Sequence, residues 1–113
     1  VDEREFLALA DAEMARIEAA LERLLEEGDA DFDIEQKPGG IIEIEMDDGS
    51  KIIVNRHAAA REIWVAARSG GYHFRPPEGP DGHWIGTRDG QELATVLARC
   101  LSEQAGAALR LAW

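Results

Sequence analysis

The chain has 113 residues, 45% apolar and 31% charged, with a formal net charge of -11. That length suits one domain around one modest core, so a single unit over residues 1–113 is expected. No apolar run approaches the roughly 18 residues that a membrane span needs, and the single cysteine, Cys100, cannot close an internal disulfide. Residues 1–5 have neither the apolar segment of a signal peptide nor the Arg-rich character of a transit peptide, which favours the cytoplasm.

The first element is a helix over residues 6–25. Phe6, Ala10, Met14, Ile17, Leu21 and Leu24 recur at spacings of three and four, which draws one buried stripe along it. Asp11, Glu18 and Glu22 stand seven and four apart and share an exposed face. Gly28 ends the helix. Asp29, Asp31, Asp33 and Glu35 then alternate with Ala30, Phe32 and Ile34, the pattern of a half-buried edge strand whose charges discourage pairing with another sheet.

Pro38-Gly39-Gly40 is a turn, and Asp48-Gly49 between two apolar runs predicts an antiparallel hairpin of residues 41–46 and 51–55. Residues 61–67 alternate again. Ile63, Val65 and Ala67 take one side and Trp64 the other, so Trp64 projects away from the core, where it contributes little to folding. Gly70-Gly71 reads as a turn into Tyr72-His73-Phe74, residues 76–82 as a loop, and His83-Trp84-Ile85 as a short strand. Asp89 and Glu92 have capping-box spacing ahead of a second helix, whose stripe of Leu93, Val96, Leu97, Cys100 and Leu101 runs to Gly106. Residues 107–113 are expected to lie over the core as an extended tail. The fold class is therefore α+β, a two-layer sandwich with two helices on one face of an antiparallel β-sheet.

The charge is uneven. Residues 1–48 hold 17 of the 23 acids against four basic residues, a net of -13, whereas residues 49–113 carry +2. Such a field repels nucleic acid and attracts cations or a basic protein face. No phosphate-binding glycine loop, zinc-ligand spacing or nucleophile elbow is present. His73 and His83 could meet in space, but no cysteine set accompanies them. Solvated carboxylates are poor acid–base catalysts, so an enzyme is not expected. They are good hard ligands for iron, manganese, calcium or magnesium, and when scattered they hold such ions weakly. An acidic protein-interaction module without physiological metal binding is the alternative.

Three ordered blocks carry a resemblance: Asp48-Gly49-Ser50-Lys51-Ile52-Ile53-Val54-Asn55-Arg56, Glu62-Ile63-Trp64-Val65-Ala66 and Ser69-Gly70-Gly71-Tyr72-His73-Phe74. With the flanking helices they resemble the bacterial frataxin family over nearly the whole chain. The resemblance implies a helix–sheet–helix fold, weak binding of Fe2+ and Fe3+ on an acidic ridge, and regulation of iron-sulfur cluster assembly through contacts with the cysteine desulfurase and the scaffold. It implies a monomer that can form iron-dependent oligomers. Carried onto this chain, the metal residues are Asp11, Glu18, Glu22, Asp29, Asp31 and Asp33. The partner-binding residues are Glu18, Glu22, Asn55 and Trp64, the last being the sheet tryptophan that approaches the scaffold. Leu7 stands where some members have a metal-holding histidine, and His57 where the family usually has glutamine.

Overall fold

A computed structural model of the protein describes residues 1–28, 30–80 and 82–111. Helix α1 (Glu3–Glu26) and helix α2 (Leu93–Ala105) flank six strands: β1 (Phe32–Lys37), β2 (Ile41–Met46), β3 (Lys51–His57), β4 (Glu62–Ala67), β5 (Gly70–Arg75) and β6 (Ile85–Gly86). The strands form one antiparallel sheet in sequence order, each paired with the next.

α1 starts where Asp2 turns the chain, its Oδ1 accepting the Glu5 amide at 2.8 Å, with Glu3 and Glu5 in the first turn facing the positive end of the helix dipole. It stops at Gly28, which has φ 74°. The buried stripe differs from the expected one at three positions: Glu13 and Ala20 are buried, and Met14 is only half-buried. Adjacent positions on a helix are only 100° apart, so spacing alone does not fix which of Glu13 and Met14 turns inward. Glu13 Oε1 accepts a hydrogen bond from the Arg16 guanidinium at 3.0 Å.

One face of the sheet supplies Ile44, Ile52, Val54, Ile63, Val65 and Phe74 to a core that α1 and α2 close from above. Phe6 meets Trp84 edge to face at 6.1 Å. Cys100 lies in this core as expected, and burial pushes its thiol pKa up, which leaves it unreactive.

The β2–β3 hairpin closes through Asp47-Asp48-Gly49. The Gly49 amide donates to Met46 O at 2.9 Å and the Met46 amide to Ser50 O at 2.7 Å, with Gly49 at φ 85°. This is a three-residue loop with a glycine bulge. The β4–β5 turn is Arg68-Ser69, not Gly70-Gly71: both glycines belong to β5, paired with Ala67 and Ala66. The expected strand at His83-Trp84-Ile85 begins only at Ile85.

Nor does Asp89 cap α2. It accepts the Gln91 amide at 3.1 Å in a local turn, and Glu92 sits at the N-cap without a capping side chain. Gly106 does end α2 in the left-handed conformation, and Leu109 returns to the core with its amide on Ser102 Oγ at 2.9 Å. The remainder of the expected tail, residues 112 and 113, lies outside the described residues. Buried Gln104 joins α2 to two hairpin turns, donating to Ser50 Oγ at 2.9 Å and accepting the Arg68 amide at 3.0 Å.

Arg56 ties sheet to helix. Its guanidinium crosses the turn at Gly40 and pairs with Asp11 of α1, while its amide donates to Gly40 O at 2.8 Å. Gly40 has φ 76°, and a Cβ there would meet Arg56 Nε at 2.8 Å and Arg56 Cβ at 2.9 Å. Gly39 has φ 89° with nothing within 4 Å. Gly39→Ala is therefore expected to cost only the left-handed backbone penalty, about 1–2 kcal/mol. Gly40→Ala adds an overpacking cost and should lose about 2–4 kcal/mol. Urea unfolding of the two variants side by side checks this, and equal losses would remove the steric role of Arg56.

Candidate functional site

Two surfaces carry the residues of interest. On α1, Asp11 and Glu22 are exposed and Glu18 is half-buried. Asp11 is not a free carboxylate, because Arg56 donates to its Oδ1. At the sheet edge Asp31 and Asp33 are exposed, while Asp29 lies outside the described residues. The two edge acids part company. Asp33 faces outward opposite Glu45, and Glu35 stands opposite Glu43. Asp31 instead borders a depression of about 390 Å³ shared with Asp47, Asp48 and Glu103 at the C-terminal end of α2.

Glu35, Glu45, Asp47 and Glu103 thus join the acidic surface without having been singled out as candidates. The register would have found the first two, since the turn at 38–40 determines which β1 residue faces which β2 residue.

Like charges opposed across strands destabilise, and two lysines relieve the repulsion here. Lys37 Nζ lies 3.3 Å and Lys51 Nζ 3.5 Å from the Glu43 carboxylate. Lys37 is the larger cause, with Lys51, of a Glu43 pKa below its ordinary value. At the hairpin turn Ser50 and then Arg68 hold Asp48 far below the usual carboxylate range. Among the described residues no three His, Cys, Asp or Glu side chains converge to hold a metal ion. What the arrangement offers a cation is a broad field of single carboxylates, several already engaged by arginine or lysine.

The second surface is the outer face of the sheet. Trp64 does project there, opposite Asn55 on one side and His73 on the other. It is half-buried, not freely exposed, because two imidazoles cover it. His57 stacks on one face with ring centroids 3.8 Å apart and 17° between planes, and His73 on the other at 4.3 Å and 10°. Trp64 Nε1 donates to Glu62 Oε1 at 2.7 Å, and the same oxygen lies 3.6 Å from His73 Nδ1. His57 Nδ1 in turn accepts the Ala60 amide at 3.2 Å. The stack gives Trp64 a share in stability that a lone surface ring would lack. His73 is thus committed to Trp64, and His83 pairs separately with Glu92 at 3.6 Å. No helix among the described residues is long and apolar enough to cross a membrane.

Comparison with known proteins adds a family. The sequence profile of the frataxin-like domain matches residues 1–107. The chain is 54% identical over 112 residues to the iron-sulfur cluster assembly protein CyaY of Dechloromonas aromatica, covering 98% of this chain and 99% of that protein. It is 47% identical over 112 residues to the protein of the same name from Ralstonia pickettii, covering 99% and 96%. Among solved structures, a frataxin from Psychromonas ingrahamii superposes with a TM-score of 0.80 at 27% identity, over 100% of both chains. The trimeric frataxin of Saccharomyces cerevisiae, solved with ferrous iron, shares the fold with a TM-score of 0.69 at 24% identity, covering 86% of this chain and 85% of that one.

Two outcomes follow from this electrostatic arrangement. A carboxylate with a lowered folded-state pKa stabilises above its unfolded pKa, and that contribution is lost as pH falls through the folded value. The Glu43 contribution should therefore fade from about pH 5 downward, and the Lys37→Gln/Lys51→Gln variant should show a shallower acid limb in its urea midpoint than the parent. An identical limb would mean that the lysines do not set the Glu43 titration. Arg56→Gln should free Asp11 and raise its apparent affinity for Mn2+ by about two- to fivefold, the equivalent of an exposed ion pair. Paramagnetic broadening of the Asp11 and Glu22 amides reads this, with Glu22 as the internal reference.

Proposed function

The chain belongs to the frataxin-like family, and from that premise we propose that it is an iron-responsive regulator of iron-sulfur cluster assembly with no catalytic chemistry of its own. Residues 1–113 act as one domain, in the cytoplasm. Its close relatives carry the name of iron-sulfur cluster assembly proteins. Fe2+ and Fe3+ are weakly held cargo of the carboxylates of Asp11, Glu18, Glu22, Asp31 and Asp33, with Asp29, outside the described residues, as the sixth candidate ligand. The observation that carries this reading is the spread of exposed carboxylates along α1 and β1 with no enclosing ligand set among the described residues. Single carboxylates in a shared negative field attract a hard cation and release it readily. Other divalent cations should compete for the same oxygens.

The same field fits a basic protein face, which we assign to the cysteine desulfurase, with Glu18 and Glu22 at its centre. The opposite surface, Trp64 with Asn55, is assigned to the scaffold: a large aromatic buries much area at small entropic cost and commonly anchors an interface. The helix and sheet surfaces lie on different layers, so both partners can bind at once. The protein is a monomer in this reading, with oligomers forming only when iron bridges acidic surfaces of neighbouring copies.

Titration with Fe2+ under anaerobic conditions should shift amide resonances around Glu18, Glu22 and Asp33 while leaving Val96 and Leu97 in place. Uniform small shifts, or none at millimolar metal, would leave the acidic surface as a protein-docking face alone. Trp64→Ala should cost about 1–3 kcal/mol of stability, less than the truncation of a fully buried aromatic. It should keep the iron response and lose scaffold affinity by tenfold or so. Glu18→Lys/Glu22→Lys should fold and bind scaffold, and fail with the desulfurase. Calorimetric titration of each variant against the two partners separately distinguishes these outcomes.

A further inference from the structure

A surface tryptophan that anchors an interface normally offers a π-face or its N–H group. Trp64 offers neither. His57 and His73 cover its two faces at 3.8 and 4.3 Å, and Glu62 Oε1 accepts the Nε1 hydrogen bond at 2.7 Å. What remains for a partner is the apolar rim of the indole. Three strands build the arrangement. His57 comes from β3, where it lies opposite Glu62 of β4, and His73 comes from β5, where it lies opposite Trp64. The His57 ring is itself held, because its Nδ1 accepts the Ala60 amide in the β3–β4 turn. The Glu62 side chain is 23% exposed and touches both Trp64 and His73 through the same oxygen. Asn55 stands beside the stack, in register with Trp64, and its side chain makes no hydrogen bond among the described residues.

We propose that Glu62 and His57 are positioning residues for partner binding, holding Trp64 edge-on between two imidazoles so that an aliphatic patch of the scaffold packs on the indole rim. The polar part of the contact falls to the Asn55 amide. This inference rests on the assignment of Trp64 to the scaffold. A partner that needed to stack on the ring, or to accept a hydrogen bond from its nitrogen, would have to break the sandwich first. An indole already fixed in its bound rotamer avoids the ordering cost of a free one, a factor of roughly 2 to 12 in affinity.

The test uses the full chain and the metal-free scaffold protein as titrant, with the Trp64 indole N–H resonance read in the free protein. Glu62→Ala should move that resonance towards its solvent position, speed its exchange with water and weaken scaffold binding by about 2- to 12-fold. Glu62→Gln keeps an oxygen acceptor and should retain both the protected resonance and the affinity. His57→Ala should weaken binding to a similar degree, and His57→Phe, which keeps a ring on Trp64, should restore it. In a Trp64→Ala background, Glu62→Ala and His57→Ala should have no further effect, since both act through the indole. Unchanged binding by Trp64→Ala would remove the scaffold assignment itself. Weak binding by Trp64→Ala with parental affinity in Glu62→Ala and His57→Ala would leave that assignment standing and overturn the positioning role. A further loss on adding Glu62→Ala to Trp64→Ala would place Glu62 in direct contact with the partner, and overturn it as well.

Discussion

The two helices cover only one face of a six-stranded sheet, and most of the molecule's surface chemistry depends on that asymmetry. A sheet with alternating strands must bury its apolar side, and α1 and α2 together do so with Phe6, Leu21, Leu97 and Leu101 against Ile44, Ile52, Val65 and Phe74. Two separate solvent surfaces result. The outer face of α1 carries carboxylates, because the core uses only a stripe of the helix. The far side of the sheet carries Trp64 and its flanking histidines, because strand alternation sends every second residue there. The second of these surfaces would be covered in a three-layer fold with helices on both faces of the sheet.

Joining the layers is a matter of a few polar side chains placed at their margins. Arg56 reaches from β3 to Asp11 on α1, and Gln104 reaches from α2 to the turns at Ser50 and Arg68. The first of these links also occupies a carboxylate. Asp11 belongs to the acidic surface and to the helix–sheet joint together, so a cation that binds it must compete with Arg56. Glu43 is similarly occupied by Lys37 and Lys51. The acidic field is therefore graded, with Glu22, Asp31 and Asp33 more available than the carboxylates that already have basic partners.

Much of the fold could be read from the sequence because its signals were local. The 3.6-residue stripe of α1, the Asp48-Gly49 turn and the left-handed Gly106 each depend on residues within a few positions of one another. The misreadings have local causes too. Gly70 and Gly71 suggested a turn, yet the chain turns on Arg68-Ser69 and uses the glycines inside β5. Asp89 had the spacing of a cap and serves a turn of its own. The acidic surface was visible as composition, but its division was not: Asp31 and Asp33 are two residues apart and belong to different surroundings. The Trp64 stack was hidden for a different reason. His57, Trp64 and His73 come from three strands, and only the cross-strand register brings their rings into one pile. Arg56 and Asp11 are likewise 45 positions apart.

Strand order that follows chain order has a consequence for how the molecule assembles. Every strand pairs with its immediate successor, so the whole meander can grow by closing short loops, each of which costs little chain entropy. The helices are different: they sit at opposite ends of the chain and share one core, so uniting them requires the largest loop closure in the molecule. Folding rate falls as contacts become more distant in sequence. The sheet should therefore take shape ahead of the closed core, with its apolar face waiting for the second helix. During synthesis from the N-terminus, α1 and the strands emerge first, and their exposed face stays open until residues 93–105 have left the ribosome.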